Sequence, residues 1–252
     1  MGPHSQAIVE AVKQAFLIRD KLVTDPDRVP ADPLAYLDDA FLDKAAAAID
    51  LEKALPWPQP AAPGDTIWMG AIDEKGNAVS YIQSIFWEFG SGVLLQDTGV
   101  LMQNRGSSFS LDQSQLNALQ PGRKPFHTLN PALALVNDGR VLSYGCMGGE
   151  GQPQTQAALF SRYARFGHDL QLAVTSPRWL LGRTWGAEAT NLRIEGRVPE
   201  SVTDALSAMG HDVERVADYT DVMGHAGGIV RHSDGLVEAA FDPRSDGGVA
   251  VF

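Results

Sequence analysis

Between residues 56 and 64 the chain reads PWPQPAAPG, with four prolines and a glycine in nine positions. Proline has no N–H to donate and fixes its own φ, so this run cannot sit inside a helix or a central strand. It splits the 252 residues into a helical stretch before it and a β-rich stretch after it. The spacing predicts a helix over 4–19, where Ile8, Val9, Val12, Ala15 and Phe16 recur at helical intervals. A second helix is expected from Pro33 to Ile49, with Asp32 as its N-cap. The run 56–64 itself is expected to be an exposed linker.

Past Asp65 the period changes. Thr66–Ile72 and Ala78–Ile85 read as strands joined by the turn DEKGN, with Gly76-Asn77 at its tip. Gly99–Met102, Pro131–Val136 and Val141–Gly145 are further strand candidates, and NDGR at 137–140 is a hairpin turn. Helices are expected near 154–166 and 201–208, and a last hairpin from Gly228–Arg231 and Val237–Ala240 around SDG. Hairpins plus separate helices predict an α+β fold with a largely antiparallel sheet.

Composition excludes several functions. The net charge of -11 argues against a nucleic-acid partner, since phosphate binding needs clustered Lys and Arg. The single cysteine, Cys146, rules out an internal disulfide and a multi-cysteine metal site. The histidines and carboxylates show no ligand spacing, so neither a metal nor another cofactor is expected. No run of about 18 apolar residues is present, and residues 1–30 do not read as a signal peptide. No membrane partner is expected, and a cytoplasmic location follows as the working expectation.

The junction Gly64-Asp65-Thr66-Ile67-Trp68 carries chemistry. A hydroxyl is a weak nucleophile unless a base removes its proton. The nucleophile's own α-amine can be that base, with an ordinary pKa of about 7.7–8.0. That amine exists only after the preceding bond is cut. A Pro-rich, accessible segment leading into a strand that starts with Thr suits such a precursor, and Asp65–Thr66 is the expected cleavage site. A threonine opening a strand is also an ordinary β-former.

The motifs extend the reading. Thr66, the turn Asp73-Glu74-Lys75-Gly76-Asn77-Ala78-Val79, Phe89-Gly90-Ser91-Gly92 and the segment Gly99–Phe109 resemble the start of the small subunit of gamma-glutamyltransferases. PGRKPFHTLNPALAL at 121–135, Gly148-Gly149 and Asp242-Pro243-Arg244-Ser245 are similar to later motifs of that family. HSQAIVEAVKQAFLIRDKLVTDP resembles the end of its large subunit. The resemblance implies an N-terminal-nucleophile hydrolase with a layered αββα sandwich. Residues 1–65 would close the large subunit and 66–252 would form the catalytic small subunit. The rest of the large subunit is missing from this span. A partner segment, or assembly into a homo-oligomer, is expected to cover what that leaves open.

Carried over by residue, the resemblance makes Thr66 the nucleophile, with Ser84 supplying a supporting hydroxyl. Gly148 and Gly149 would offer backbone N–H groups to the oxyanion. Departures from the family pattern bear on substrate. Ser108 stands where the family has an aspartate for the substrate's α-ammonium. Phe86 replaces an asparagine, and His127-Thr128 replace a pair of serines that hold the α-carboxylate. Arg105 occupies a position that is usually neutral or acidic, and an Arg favours a carboxylate. It could instead serve a scaffold ion pair. His127 could donate to substrate or be a plain loop histidine.

The implied substrate is a small amide that carries a carboxylate and no α-amine. YIQSIFWEFGSG, QNRGSSFSL, MGGEGQPQTQAA and PRWLLGRTWG resemble the oxamate amidohydrolase and glutaryl-type cephalosporin acylase branch. The bulk of Phe86 and Trp87 favours oxamate, while a glutaryl amide also satisfies the carboxylate rule. A gamma-glutamyl hydrolase or transferase, and a non-catalytic fragment, are the remaining alternatives. Trp68, Trp179 and Trp185 are expected in the core, His225 in a structural role, and His168, His211 and His232 in solvent. In an unbroken chain the Thr66 amine is locked in a peptide bond, so that form would be an uncut precursor.

Overall fold

A computed structural model describes residues 2–57, 66–182 and 190–252. Most of the linker run, Asp65 and Trp185 lie outside the described residues. Helix α1 runs from Gly2 to Leu22, and Val9, Val12 and Phe16 on one face are buried. The expected second helix divides. Asp32 does cap a turn, accepting from Leu34 N–H at 2.9 Å, but Pro33–Leu37 is 3-10. Asp38 then caps a separate helix, α2, over Asp39–Ala47. Each short Asp captures the backbone two residues on, which restarts the helix rather than extending it.

Strands β1 (Ile67–Ile72) and β2 (Ala78–Gln83) form the expected hairpin. Asp73 ties its turn by accepting from Asn77 N–H at 2.8 Å and Asn77 Nδ2 at 2.7 Å. Short strands β3 (Leu94–Leu95) and β4 (Val100–Leu101) pair with each other. The main sheet is built from β5 (Ala132–Leu135), β6 (Val141–Cys146), β10 (Ala226–Arg231) and β11 (Val237–Phe241). It is antiparallel throughout, in the order β11-β10-β6-β5.

One face of that sheet meets α3 (Gln152–Phe160) and α4 (Leu170–Thr175). Leu142, Val230 and Ala240 bury against Leu159, Tyr163, Leu170 and Val174 there. Full burial of each such aliphatic side chain contributes about 1.5–3 kcal/mol. Residues 161–165 continue α3 as a π-type turn rather than as the expected α-helix.

The other face receives the β1–β2 hairpin. The Trp68 ring lies over Gly70, Gly145 and Gly227, and a Cβ on Gly145 would overlap the indole. Glycine is used here for close approach rather than for a turn. Trp68 Nε1 donates to Ser80 Oγ at 2.9 Å, Ser80 Oγ to Tyr144 O at 3.2 Å, and Ser143 Oγ to Val79 O at 2.8 Å. Helix, sheet and sheet thus stack as three layers. The outer face of β1–β2 stays open: Ile67 is 54% and Tyr81 47% exposed.

A second core was not visible in the sequence. Strands β7 (Trp179–Leu181), β8 (Leu192–Glu195) and β9 (Val213–Val216) form a sheet in which β8 and β9 run parallel. α1 and α5 (Glu200–Ala208) pack on it through Val9, Phe16, Trp179, Leu181, Ile194 and Leu206.

His211 corrects an expectation. It is buried, not solvated: Nδ1 lies 3.4 Å from Lys13 Nζ, and Nε2 2.6 Å from Gln6 Oε1. His232 is half-buried beside Glu238 at 3.0 Å. Among the described residues no helix is long and apolar enough to cross a membrane.

Candidate active site

The β1–β2 ladder ends with Ile67 opposite Gln83. Thr66 and Ser84 are the next residues on the two strands, so one further step of the register sets them across from each other. Thr66 is buried, 8% exposed. Ser84 Oγ accepts from Phe86 N–H at 3.0 Å, which starts a sharp turn. Phe86 and Trp87 follow with φ of 56° and 77°, a region that bulky residues rarely adopt. Backbone strain of this kind costs of order 1–3 kcal/mol and persists where packing imposes it.

What imposes it is the return of the chain. Gly90 (φ 55°) has no room for a Cβ beside the Met102 carbonyl, and Ser91 N–H donates to that oxygen at 2.9 Å. Asn104 N–H then donates to Ile85 O at 2.7 Å. The FGSG motif thereby lays residues 103–105 alongside Ile85 and Phe86. A 3-10 turn, Arg105–Ser108, begins there.

Arg105 is 2% exposed. Its guanidinium carbon lies 4.2 Å from the centroid of the Phe86 ring. Nη1 donates to Thr128 Oγ1 at 2.8 Å, while Nε and Nη2 are buried with no acceptor among the described residues. No scaffold ion pair to Arg105 is present among the described residues. Burial lowers its pKa to about 10, so it stays charged at neutral pH. Ser108 is half-buried three residues on, where 3-10 side chains eclipse.

His127 and Thr128 come from the loop before β5. His127 is exposed, and its pKa is lowered by partial burial and then by the Arg105 charge. Leu129 N–H donates to its Nδ1 at 3.3 Å, which places the proton of the neutral ring on Nε2. This loop is held from two sides. Arg123 Nη2 donates to Thr24 Oγ1 at 3.2 Å and Lys124 N–H to Asp25 at 3.0 Å, which ties it to the end of α1. Gln152 Oε1 accepts from Asn130 N–H at 3.3 Å, and Gln156 Nε2 donates to Asn130 O at 2.8 Å. These two glutamines were not singled out from the sequence. No spacing in the sequence marks them, because their partner is the backbone of a loop more than twenty residues away.

Gly148 (φ 123°) and Gly149 (φ 54°) follow β6 and are buried. Gly149, Glu150, His127, Thr128, Asn130, Phe16 and Arg19 share the lining of a cleft of about 390 Å³. Arg19 reaches from α1 to Glu150 at 2.9 Å. Thr66, Ser84, Phe86, Arg105 and Ser108 are not among the described residues that line this cleft. The structure therefore gathers two groups: Ser84, Phe86, Arg105 and Thr128 in one nest, and His127, Thr128 and Gly149 along the cleft. Thr128 belongs to both.

Cys146 does not compete as a nucleophile, since burial pushes its thiol up to about 11. Among the described residues no group of three or more His, Cys, Asp or Glu is placed to hold a metal ion.

A helix-covered antiparallel sheet, faced by a hairpin whose first strand follows a buried threonine, defines the N-terminal-nucleophile hydrolase class of α+β sandwich. The family description Gamma-glutamyltranspeptidase matches residues 3–252, and the chain belongs to that family. It is 56% identical to the oxamate amidohydrolase proenzyme of Klebsiella pneumoniae over 97% of this chain and 46% of that protein. It is 43% identical to the glutathione hydrolase-like YwrD proenzyme of Bacillus subtilis over 95% of this chain and 46% of that protein. The cephalosporin acylase of Bacillus halodurans superposes with a TM-score of 0.80 at 32% identity, covering 97% of this chain and 44% of that one. The chain thus spans about half the length of these relatives.

Proposed function

We propose that the chain is the catalytic portion of a self-processing amidohydrolase whose substrate is a small amide bearing a carboxylate and no α-amine, oxamate first among them. The observation that carries this reading is Arg105. It is buried and charged, with two nitrogens, Nε and Nη2, that meet no acceptor among the described residues. Leaving such donors unpaired costs ~1–3 kcal/mol or more, and a substrate carboxylate removes that cost. No aspartate stands at Ser108 to receive an ammonium.

In this reading residues 1–65 end the large subunit and 66–252 form the small one. Cutting Asp65–Thr66 frees the Thr66 amine. The amine takes the hydroxyl proton as Oγ1 attacks the amide carbon, and Ser84 supports that hydroxyl. Gly148 and Gly149 N–H groups stabilise the oxyanion. Collapse expels ammonia, which leaves with the proton held by the amine. Water then attacks the ester, with the amine again as base, and releases oxalate. Arg105, Thr128 and the Nε2–H of His127 hold the carboxylate, while Phe86 limits the length of the acyl group.

The support from relatives is the 56% identity to the oxamate amidohydrolase proenzyme. The cleft favours a second reading. Its volume of about 390 Å³ exceeds what a two-carbon acid amide needs and suits the longer side of an acylase substrate. Ammonia release from oxamate, set against aniline release from a glutaryl anilide and from a gamma-glutamyl anilide, ranks the readings. Faster turnover of oxamate supports the first. Preference for the glutaryl amide selects the second, preference for the gamma-glutamyl amide contradicts both, and no turnover of any leaves a non-catalytic chain.

A further inference from the structure

The glycine pair rests on a segment that carries none of the chemistry. Met147 N–H donates to His225 O at 3.0 Å, and the position of a Cβ on Gly148 is 3.6 Å from Gly224 Cα. Gly224 has φ 74°, and a Cβ there would overlap the Met147 carbonyl oxygen. Residues 223–226 therefore form the floor beneath Met147 and Gly148.

That floor is pinned by one buried ion pair. Arg178 Nη1 donates to the carbonyls of Gly224 at 2.7 Å and Met223 at 3.2 Å. Its Nη2 donates to Asp242 at 2.5 Å and to Val174 O at 3.0 Å. The same Asp242 oxygen accepts from Ala226 N–H at 2.7 Å. Two residues thus fix the carbonyls on one side of His225 and the amide on the other. Arg244 holds the second Asp242 oxygen at 2.9 Å and grips Glu195 at 2.6 Å and 2.7 Å, so the pair cannot rotate away. The side chains of Asp242, Glu195 and Arg244 are 0% exposed. Charges buried this completely are a weak source of stability, because desolvation offsets their attraction. Their geometry is what they contribute.

We propose that Arg178 and Asp242 are a positioning pair that sets the Gly148–Gly149 loop through residues 223–226. The catalytic consequence rests on the reading that this loop receives the oxyanion. Misaiming one oxyanion donor costs about 10²–10³ in kcat and little in ground-state binding.

The test uses the full-length gene product and pairs hydrogen–deuterium exchange with oxamate kinetics. Arg178→Lys keeps a charge but not the fork, and Gly224→Ala disturbs the floor without touching any charge. Both are expected to speed exchange at 147–151 by about tenfold while 67–83 stay unchanged, and to lower kcat by about 10²-fold with KM within about threefold. Leu206→Ala, which weakens the other core, serves as the control and is expected to leave loop exchange and kcat as in the wild type. Unchanged exchange at 147–151 in both variants overturns the proposal, as does an equal change in Leu206→Ala. A loosened loop with full kcat overturns the catalytic part and the assignment of Gly148 and Gly149 with it. If the wild type turns over no amide, the functional reading fails, and the exchange arm still decides whether the pair holds the loop.

Discussion

The guanidinium of Arg105 lies with its central carbon 4.2 Å from the centroid of the Phe86 ring. The ring covers one face of the cation and leaves its edge for polar contacts. A planar, edge-on donor pair matches a carboxylate better than an ammonium point charge could. Arg105→Lys is expected to raise KM for oxamate by about 10²-fold, in line with the loss of two charge-assisted hydrogen bonds, while self-cleavage changes by less than about threefold. The measurement is steady-state ammonia release beside the rate of appearance of the cut chain. Equal damage to both assigns Arg105 to the scaffold.

Phe86 has a cost as well as a role, since its φ of 56° suits glycine or asparagine better. Phe86→Gly removes both the strain and the cover. It is expected to lower thermal stability, because losing a ring that is 1% exposed costs about 3–5 kcal/mol against about 1–3 kcal/mol of strain relieved, to weaken oxamate binding by about tenfold, and to improve relative turnover of a glutaryl amide. A variant that unfolds, or that keeps wild-type selectivity, shows that the ring is core packing and not a limit on the acyl group.

His211 gives a pH signature. Burial, and then the Lys13 charge, lower its pKa from 6.5 to about 4. The folded chain keeps it neutral down to about pH 4, while the unfolded chain protonates it below 6.5. Its contribution is therefore fully present above 6.5 and is lost as pH falls toward 4, by roughly 3 kcal/mol in all. Urea melts across this window should show His211→Gln with a shallower loss than the wild type. Parallel curves would mean that His211 titrates alike in both states.

The Lys13–His211 contact also shows where the sequence stopped being legible. The α1 face bearing Val9, Val12 and Phe16 was plain from its period. The polar stripe beside it, Gln6, Glu10 and Lys13, is buried too, which the period does not show. Glu10 and Lys13 spend their charges on the Leu55 N–H and carbonyl, at 3.1 Å and 2.6 Å. Only tertiary structure reveals partners so far along the chain. The β1–β2 hairpin was legible because its alternation and turn chemistry agree. β7 was not, since WLL is buried on both faces and does not alternate.

The candidate site divides the same way. Thr66, Arg105, His127 and Gly148 stand out by residue type or motif. Gln152, Gln156, Arg178 and Asp242 act through backbone groups of other segments, and no spacing in the sequence announces that.

The most direct test of the account is the mass and N-terminal sequence of the full-length gene product after purification. The account predicts two chains, the second beginning at Thr66, and a single uncut chain for Thr66→Ala. A wild-type protein that stays intact through long incubation, or that is cut elsewhere, would contradict it.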